Sequence, residues 1–554
     1  MSKFPPVERW IEGANRRPKL CLAALGLLMA VQISPWLYPA VDGCLYLKTI
    51  RGFFTAGKLS DFHCYVPPGY LPLIAPAFAF GNRPFLAVSI LQWLMALALI
   101  GGLYVWARRQ FPATAVLFTA VVMVNISLWT YYRRPLKEVA SMAILMWTVN
   151  LMHVLLDERR RARIAWLTAA AALLATYLTL IRYAAITITI GFAIAACWRA
   201  RRGAFGWGRA LLMSSAIGLS ALGGLVGWLY YDNTCGSGGI YWREVASVYF
   251  DQSSSQPAAT DGAPAPPPPA DDTVASEPPA AVPASMQWAQ SLDALTGGRV
   301  PARVAGPLLR FLHGFIFRIN DVGCLLVPGL WKASLPSDSV LSVTLAAFVV
   351  LFALMALGWR RILQRKIDVL VLTLPAYLVL YSHWVCDQPG GRFMLPMLPI
   401  LTACAWYGLA PLVRRPLVVF GLLAVVHLGQ SAAYWLWIDA PRAYQANQNW
   451  SVVDRIVKEI HRDPGQVAIA DAAESDCQGL WLELDWCYQL REFKEHPGPH
   501  VRWVVEPAGK QPVRGFSIRQ VDGPVQLLCR DARRPARRAT AQNGRHAPQV
   551  AGNP

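Results

Sequence analysis

The chain has 554 residues, 55% of them hydrophobic and 15% charged, with a mean hydropathy of +0.34. Soluble domains carry about a quarter charged residues, so this composition excludes a single soluble domain and points to an all-α polytopic membrane protein with some soluble mass attached. The net charge of +19 does not point to nucleic acid, because most Lys and Arg lie in short clusters between apolar runs, where they set topology.

A bilayer core takes about 20 apolar residues per helix. By that measure eleven spans are expected, at 19–38, 85–106, 112–130, 138–156, 165–181, 183–198, 210–230, 339–359, 367–384, 393–412 and 416–437. Arg16, Arg17 and Lys19 precede the first span and predict a cytoplasmic N-terminus. The loops "ARRQF" (107–111), "DERRRARI" (157–164), "RARRGAFGWGR" (199–209), "RRILQRK" (360–366) and "VRR" (413–415) are then all inside, and all are basic. Only a short turn near Arg182 separates the fifth and sixth spans, but merging them would export every later basic cluster. The first span lacks a small-residue cleavage site and reads as a signal anchor. An odd number of spans exports the C-terminus.

Eight of the eleven cysteines fall in exported segments: Cys44, Cys64, Cys235, Cys324, Cys386, Cys477, Cys487 and Cys529. That set fits an oxidising compartment, with Cys44–Cys64 and Cys477–Cys487 as candidate disulfides. The alternative is that they are small apolar residues placed by chance.

Three exported regions follow in chain order. The first, 39–84, opens with "DGCLYLKTIRGFFTAG", which puts Tyr46, Ile50, Phe53 and Phe54 on one helical face and Lys48, Arg51 and Thr55 on the other. This predicts a helix on the outer membrane surface beginning just after Asp42. Asp42 can cap that helix or act as a general base at the membrane edge, and the two roles are compatible. His63, near Asp61, could join a metal site. The second region, 231–338, holds a Pro- and Ala-rich stretch at 253–283 that predicts disorder. It is followed by an amphipathic segment at 303–319, too interrupted by charge to span and expected at the interface. The third, 438–530, combines a helix pattern at 450–461 with the strand-like runs "QVAIAD", "HVRWVVE" and "VQLLC", predicting a small α/β domain before a basic, disordered tail at 531–554.

Glu138 begins the fourth span on the outer side, beside Arg133, Arg134 and Lys137 in "YYRRPLKEVASMAILMW". A carboxylate there suits the helix dipole. Arg182 lies between the fifth and sixth spans and Arg392 begins the tenth; arginines at this face can bind phosphate or snorkel to lipid headgroups. No Walker loop, HExxH or GxSxG motif is present.

This layout resembles the GT-C superfamily of polyprenyl-phosphate-sugar-dependent glycosyltransferases, in particular its protein mannosyltransferase-like and aminoarabinose transferase-like members. Asp42 stands where the family has its first-loop acidic residue. "HCYVPPGYLPLIAPAFAFGNRPF" looks like its proline-rich passage into the second span, and "RRPLKEVASMAILMW" like its second acidic motif, with Glu138 in the acidic place. "LATYLTLIRYAAITITIGF" and "GGRFMLPMLPILTACAWYGL" look like its arginine-bearing later spans. Two departures stand out: Gly43 follows Asp42 where a second acidic residue is common, and Lys137 replaces a small polar residue before Glu138.

The resemblance covers most of residues 1–437. It implies sugar transfer from a polyprenyl-phosphate carrier to an acceptor hydroxyl on the outer face of a bacterial inner membrane. Asp42 would be the base, with inversion at the anomeric carbon. Arg182, Arg392 and either Lys137 or Arg134 would stabilise the leaving phosphate. Glu138 would position the acceptor or, with Asp42 and His63, hold a divalent cation. The implied partners are the lipid-linked donor, an envelope lipid, glycan or protein acceptor, and membrane lipids. A glycan polymerase or ligase, a transporter, and a non-catalytic scaffold are the competing readings. Carboxylates gathered at one membrane face, instead of at midplane, argue against transport.

Overall fold

Apolar runs broken by Pro, Gly and Arg become helices through most of the chain. The computed structural model describes residues 12–36, 41–56, 68–234, 311–312, 314–315, 318–319, 321–327, 338–382, 391–470, 480, 483–484, 487–489, 501–512 and 516–530. They divide into two units, Met1–Ala443 and Tyr444–Pro554.

The first unit is helical. Its helices are α1 (Pro18–Ala30), α2 (Val41–Ala56), α3 (Phe85–Gln110), α4 (Ala115–Met123), α5 (Ile126–Tyr132), α6 (Glu138–Asp157), α7 (Arg161–Ile181), α8 (Thr187–Arg201), α9 (Trp207–Thr234), α10 (Asp338–Arg365), α11 (Val369–Ser382), α12 (Leu398–Leu409) and α13 (Pro416–Tyr434). A broken helical segment, Pro68–Phe80, precedes α3.

Among the described residues, seven helices are long and apolar enough to cross a membrane, or eight if the bent pair α4–α5 is one span. That is short of the eleven expected, for local reasons. α1 has 13 residues. α11 has 14, with Pro375 inside. α4 and α5 meet at 59°, where Asn125 interrupts the helix and caps the next one by accepting from Ser127 N at 3.0 Å. The remaining expected span, 339–359, lies within the 28-residue α10. The protein is a multi-pass membrane protein, and its core runs between α3, α6, α8, α11 and α12 through Leu99, Met146, Phe192, Tyr377 and Leu401.

One end of this bundle carries the basic loops. There Asp157 pairs with Arg199 at 2.8 Å and with Arg109. Buried Asp368 caps α11 through Leu370 N at 2.8 Å and Val371 N at 3.1 Å. Its other oxygen takes Trp106 Nε1 and lies 3.0 Å from His153 Nε2, so one carboxylate ties α3, α6 and α11 together. A buried acceptor with this many donors is satisfied, which is the condition for burying it at all.

The second unit is the expected α/β domain. Five strands, β1 (Gln466–Ile469), β2 (Cys487–Gln489), β3 (Val501–Pro507), β4 (Phe516–Asp522) and β5 (Val525–Arg530), form a sheet of order β2-β1-β3-β5-β4. β1 runs parallel to β2 and β3, and the other pairs are antiparallel. α14 (Trp450–Arg462) buries Val452, Val453, Ile456 and Ile460, the i, i+3/i+4 stripe of an amphipathic helix.

The interfacial helix expected at 303–319 is described only at 311–312, 314–315 and 318–319, all helical. The Pro-rich stretch, the basic tail, Asp61, His63, Cys64 and Cys477 lie outside the described residues. Both candidate disulfides therefore lie partly outside them as well; Cys44 is buried, and Cys487 belongs to β2.

Candidate functional site

The end of the bundle opposite Asp368 gathers the charges that the sequence singles out. Glu138 is the first residue of α6 and is fully buried. Its Oε1 accepts from Arg392 Nε at 2.6 Å and lies 3.5 Å from Arg182 Nη1. Residues 254 and 44 positions from Glu138 in the chain thus converge on one carboxylate oxygen. Two guanidiniums share one carboxylate, which leaves one positive charge in excess. The other oxygen, Oε2, is buried with no hydrogen-bond partner.

Arg182 is held from several sides. It follows the last residue of α7 in extended conformation, with φ −150° and ψ 105°. Its Nε donates to the Tyr381 hydroxyl at 3.2 Å, and its Nη2 faces the carbonyls of Arg392 and Phe393, each at 3.3 Å. Tyr377 donates to the Phe393 carbonyl at 2.8 Å, so α11 fixes both the guanidinium and the strip of backbone beside it. The Arg182 guanidinium also lies 5.8 Å from the Phe393 ring and 5.9 Å from Tyr381, within cation–π range. Arg392 lies 5.8 Å from the ring of Tyr131.

Lys137 immediately precedes α6, makes no side-chain capping hydrogen bond, and is half-buried. Arg134, also half-buried, contributes its carbonyl to Gln92 Nε2 at 2.9 Å. Arg133, which the sequence sets beside Glu138 without assigning it a role, is buried: its Nε donates to Gln32 Oε1 at 3.0 Å and its Nη1 lies 3.4 Å from Asp439. These contacts anchor the 133–138 loop from behind.

Asp42 is the second residue of α2. Its neighbour Gly43 comes so close to that loop that a Cβ at position 43 would stand 2.6 Å from Pro135 Cγ. The departure at Gly43 therefore has a steric cause, since a second acidic side chain would not fit. A further link runs from α2 through Tyr46, edge-on to Tyr70 at 4.8 Å, to the Tyr70 hydroxyl, which accepts from Gln92 at 2.7 Å. Gln92 also donates to the Leu136 carbonyl at 3.1 Å. The start of α2 is thus locked to the loop that ends at Glu138. The Asp42 side chain itself and His63 lie outside the described residues.

Sequence reasoning also missed Arg318 and Asp321, a buried pair at 2.5 Å. Burial pushes the Asp321 carboxyl up to about 6, against the pull of Arg318 and of a hydrogen bond from the Gly391 N–H. The available signal was a polar pair in "FRINDVGCLL", between two apolar runs.

No three His, Cys, Asp or Glu gather into a metal-binding group among the described residues. No family model matches the sequence, and no curated protein matches it. Solved structures do. The Archaeoglobus fulgidus oligosaccharyltransferase, in complex with Zn and sulfate, is similar at a TM-score of 0.50 and 10% identity, covering 88% of this chain and 68% of that one. The fold is GT-C. The archaeal oligosaccharyltransferase AglB with an inhibitory peptide and a dolichol-phosphate matches at a TM-score of 0.47 and 10% identity, over 88% of this chain and 69% of that one. ArnT from Cupriavidus metallidurans bound to undecaprenyl phosphate matches at 0.39 and 13% identity, over 94% and 99%.

Proposed function

We propose that this protein is an integral membrane glycosyltransferase that moves a sugar from a polyprenyl-phosphate carrier to an acceptor hydroxyl on the outer face of a bacterial inner membrane. The observation that carries the reading is the convergence of Arg182 and Arg392 on buried Glu138, at the end of a GT-C bundle away from the basic loops. Fold alone does not assign an activity; a preformed pair of guanidiniums with one charge in excess is what a phosphate group needs.

In this reading Asp42 takes the proton of the acceptor hydroxyl. The oxygen attacks the anomeric carbon, the bond from that carbon to the phosphate oxygen breaks on the opposite face, and the configuration inverts. The carrier leaves as a phosphate monoester with one more negative charge than the diester had. Arg182 and Arg392, fixed before the reaction, stabilise that charge without reorganising. Lys137 and Arg134 add positive potential at the rim.

The carrier's isoprenoid tail has a place to lie. A cavity of about 260 Å³, lined by Phe315, Phe352, Trp359, Leu374, Leu378 and Leu401, reaches α11 one turn from Tyr381. Asp42, Glu138 and His63 would hold a divalent cation, which would supply Lewis-acid charge to the phosphate; the steps above do not run through it. The second unit, Tyr444–Pro554, carries the α/β domain and in this scheme recognises the acceptor.

The test is sugar transfer from radiolabelled polyprenyl-phosphate sugars in membranes containing wild type or Asp42→Asn. Transfer that collapses in a normally abundant, folded Asp42→Asn supports the base and identifies the donor. Equal transfer by both removes Asp42 from the mechanism. No transfer from any donor, beside an active control enzyme, rejects the function.

A further inference from the structure

The exported segment around residue 321 is not a surface loop. Arg318, Asp321, Val322, Cys324 and Leu325 are all buried in the membrane unit. Asn125, at the break between α4 and α5, donates to the Leu325 carbonyl at 2.7 Å. The turn is therefore nailed into the bundle beside the anion site. The Arg318 guanidinium lies 5.8 Å from the Phe393 ring, the same ring that Arg182 faces at 5.8 Å.

Asp321 reaches the site through backbone. Its carboxylate accepts the N–H of Gly391, the residue immediately before Arg392. Gly391 has φ +66°, and a Cβ there would stand 2.8 Å from the Asp321 carbonyl and from Leu325 Cγ. Both facts require glycine. They also mean that the chain turns at Gly391 against Asp321 and leaves the turn as Arg392, already aimed at Glu138.

We propose that Asp321 is a positioning residue for the anion site: ionised, it holds the Gly391 turn and Arg318 together and so orients Arg392, and protonated, it releases that hold. This inference rests on the proposed function. Arg318 faces Asp321 from its own turn, as does Cys324; Gly391 N–H faces it from the segment before α12; and Tyr131 on α5, itself in the field of Arg392, Arg134 and Glu138, also feels its charge. The only full positive charge facing the carboxylate among these groups is Arg318. Losing the Asp321 charge therefore removes a carboxylate from buried Arg318, whose guanidinium lies against the Phe393 ring that Arg182 also faces. The switch lies in the range where burial places this carboxyl, about 6.

The experiment measures binding of a polyprenyl phosphodiester to the full chain in detergent from pH 5 to pH 8. A diester keeps one charge across that range, whereas a monoester has a second pKa near 6. Wild type should lose roughly tenfold in affinity between pH 7.5 and pH 5, the scale of one charged hydrogen bond. Asp321→Asn, which mimics the protonated acid in shape, should be flat across the range at the low wild-type value. Gly391→Ala should bind weakly at every pH while leaving Asp321 itself in place. If Asp321→Asn keeps the wild-type slope, or binds like wild type throughout, Asp321 is not the switch. Full binding by Gly391→Ala would overturn the route through the turn. A wild type that binds no diester at any pH rejects the proposed function itself, and this role with it.

Discussion

Glu138→Gln separates two quantities that ordinarily fall together. The wild-type carboxylate is fully buried, 2.6 Å from Arg392 Nε and 3.5 Å from Arg182 Nη1. Breaking a buried ion pair by deleting one partner costs about 3–5 kcal/mol. Glutamine keeps the shape and one acceptor oxygen, so the loss should be nearer the roughly 2 kcal/mol of one charge-assisted hydrogen bond. A double-mutant cycle with Arg392→Gln, followed by thermal unfolding in detergent, should return a coupling of about 1–3 kcal/mol. The same substitution raises the excess positive charge at the site from one to two. Phosphodiester binding should therefore tighten while sugar transfer falls, because the arginines lose the group that fixes their orientation. Coupling under about 0.5 kcal/mol, the level of independent sites, together with unchanged binding, would refute the view that Glu138 organises the two arginines.

Three further outcomes are expected. The Asp321 carboxyl, raised from 3.8 to about 6 in the folded protein, binds its proton more tightly when folded. Its contribution to stability is thus complete below about pH 4 and is lost as pH rises through about 6, a change on the order of 3 kcal/mol. Asp321→Asn should remove that slope from denaturation measured between pH 4 and pH 7, and an unchanged slope would assign it elsewhere. Gly43→Ala, with its Cβ 2.6 Å from a rigid proline ring, should cost about 1–3 kcal/mol by overpacking and reduce transfer by displacing the start of α2; full activity would show that α2 and the 133–138 loop are not locked. Asp368→Ala leaves Trp106 Nε1 and two backbone N–H groups without their buried acceptor and should cost about 3–5 kcal/mol. Phosphodiester binding by the folded fraction should be unchanged, and its loss would mean that the two ends of the bundle are coupled.

The fold was legible where burial and periodicity agree. α3, α6, α7, α8 and α9 are long because their apolar runs are uninterrupted, and hydropathy finds such runs directly. It counted α4 and α5 as one straight span because Asn125 weighs little in an average over 20 residues, although one side chain that caps a helix is enough to bend the path. The strands β1, β3 and β5 are buried hydrophobic runs and were readable. β4, "FSIRQVD", is mostly exposed on both faces and carries no such signal; its pairing with β5 is what makes it a strand.

The site divides along the same line. Glu138, Arg182 and Arg392 could each be picked out because a charge beside an apolar run is expensive and so asks for a reason. That they share one oxygen could not be read, since it depends on α6, α7 and the segment before α12 meeting across the bundle. Asp321 was missed for the opposite reason: it follows the Pro-rich stretch and the interrupted amphipathic segment of an exported region, and it is contacts distant in sequence, with Gly391 and through Leu325 with Asn125, that place it inside. The consequence for this protein is a conflict between stability and site geometry. The ionised Asp321 that orients the Gly391 turn is also the form that burial penalises, so the state with the better-organised anion site is the less stable one. A carboxylate kept for packing alone would gain from replacement by a neutral residue, and Asp321→Asn distinguishes the cases by whether added stability comes with lost binding.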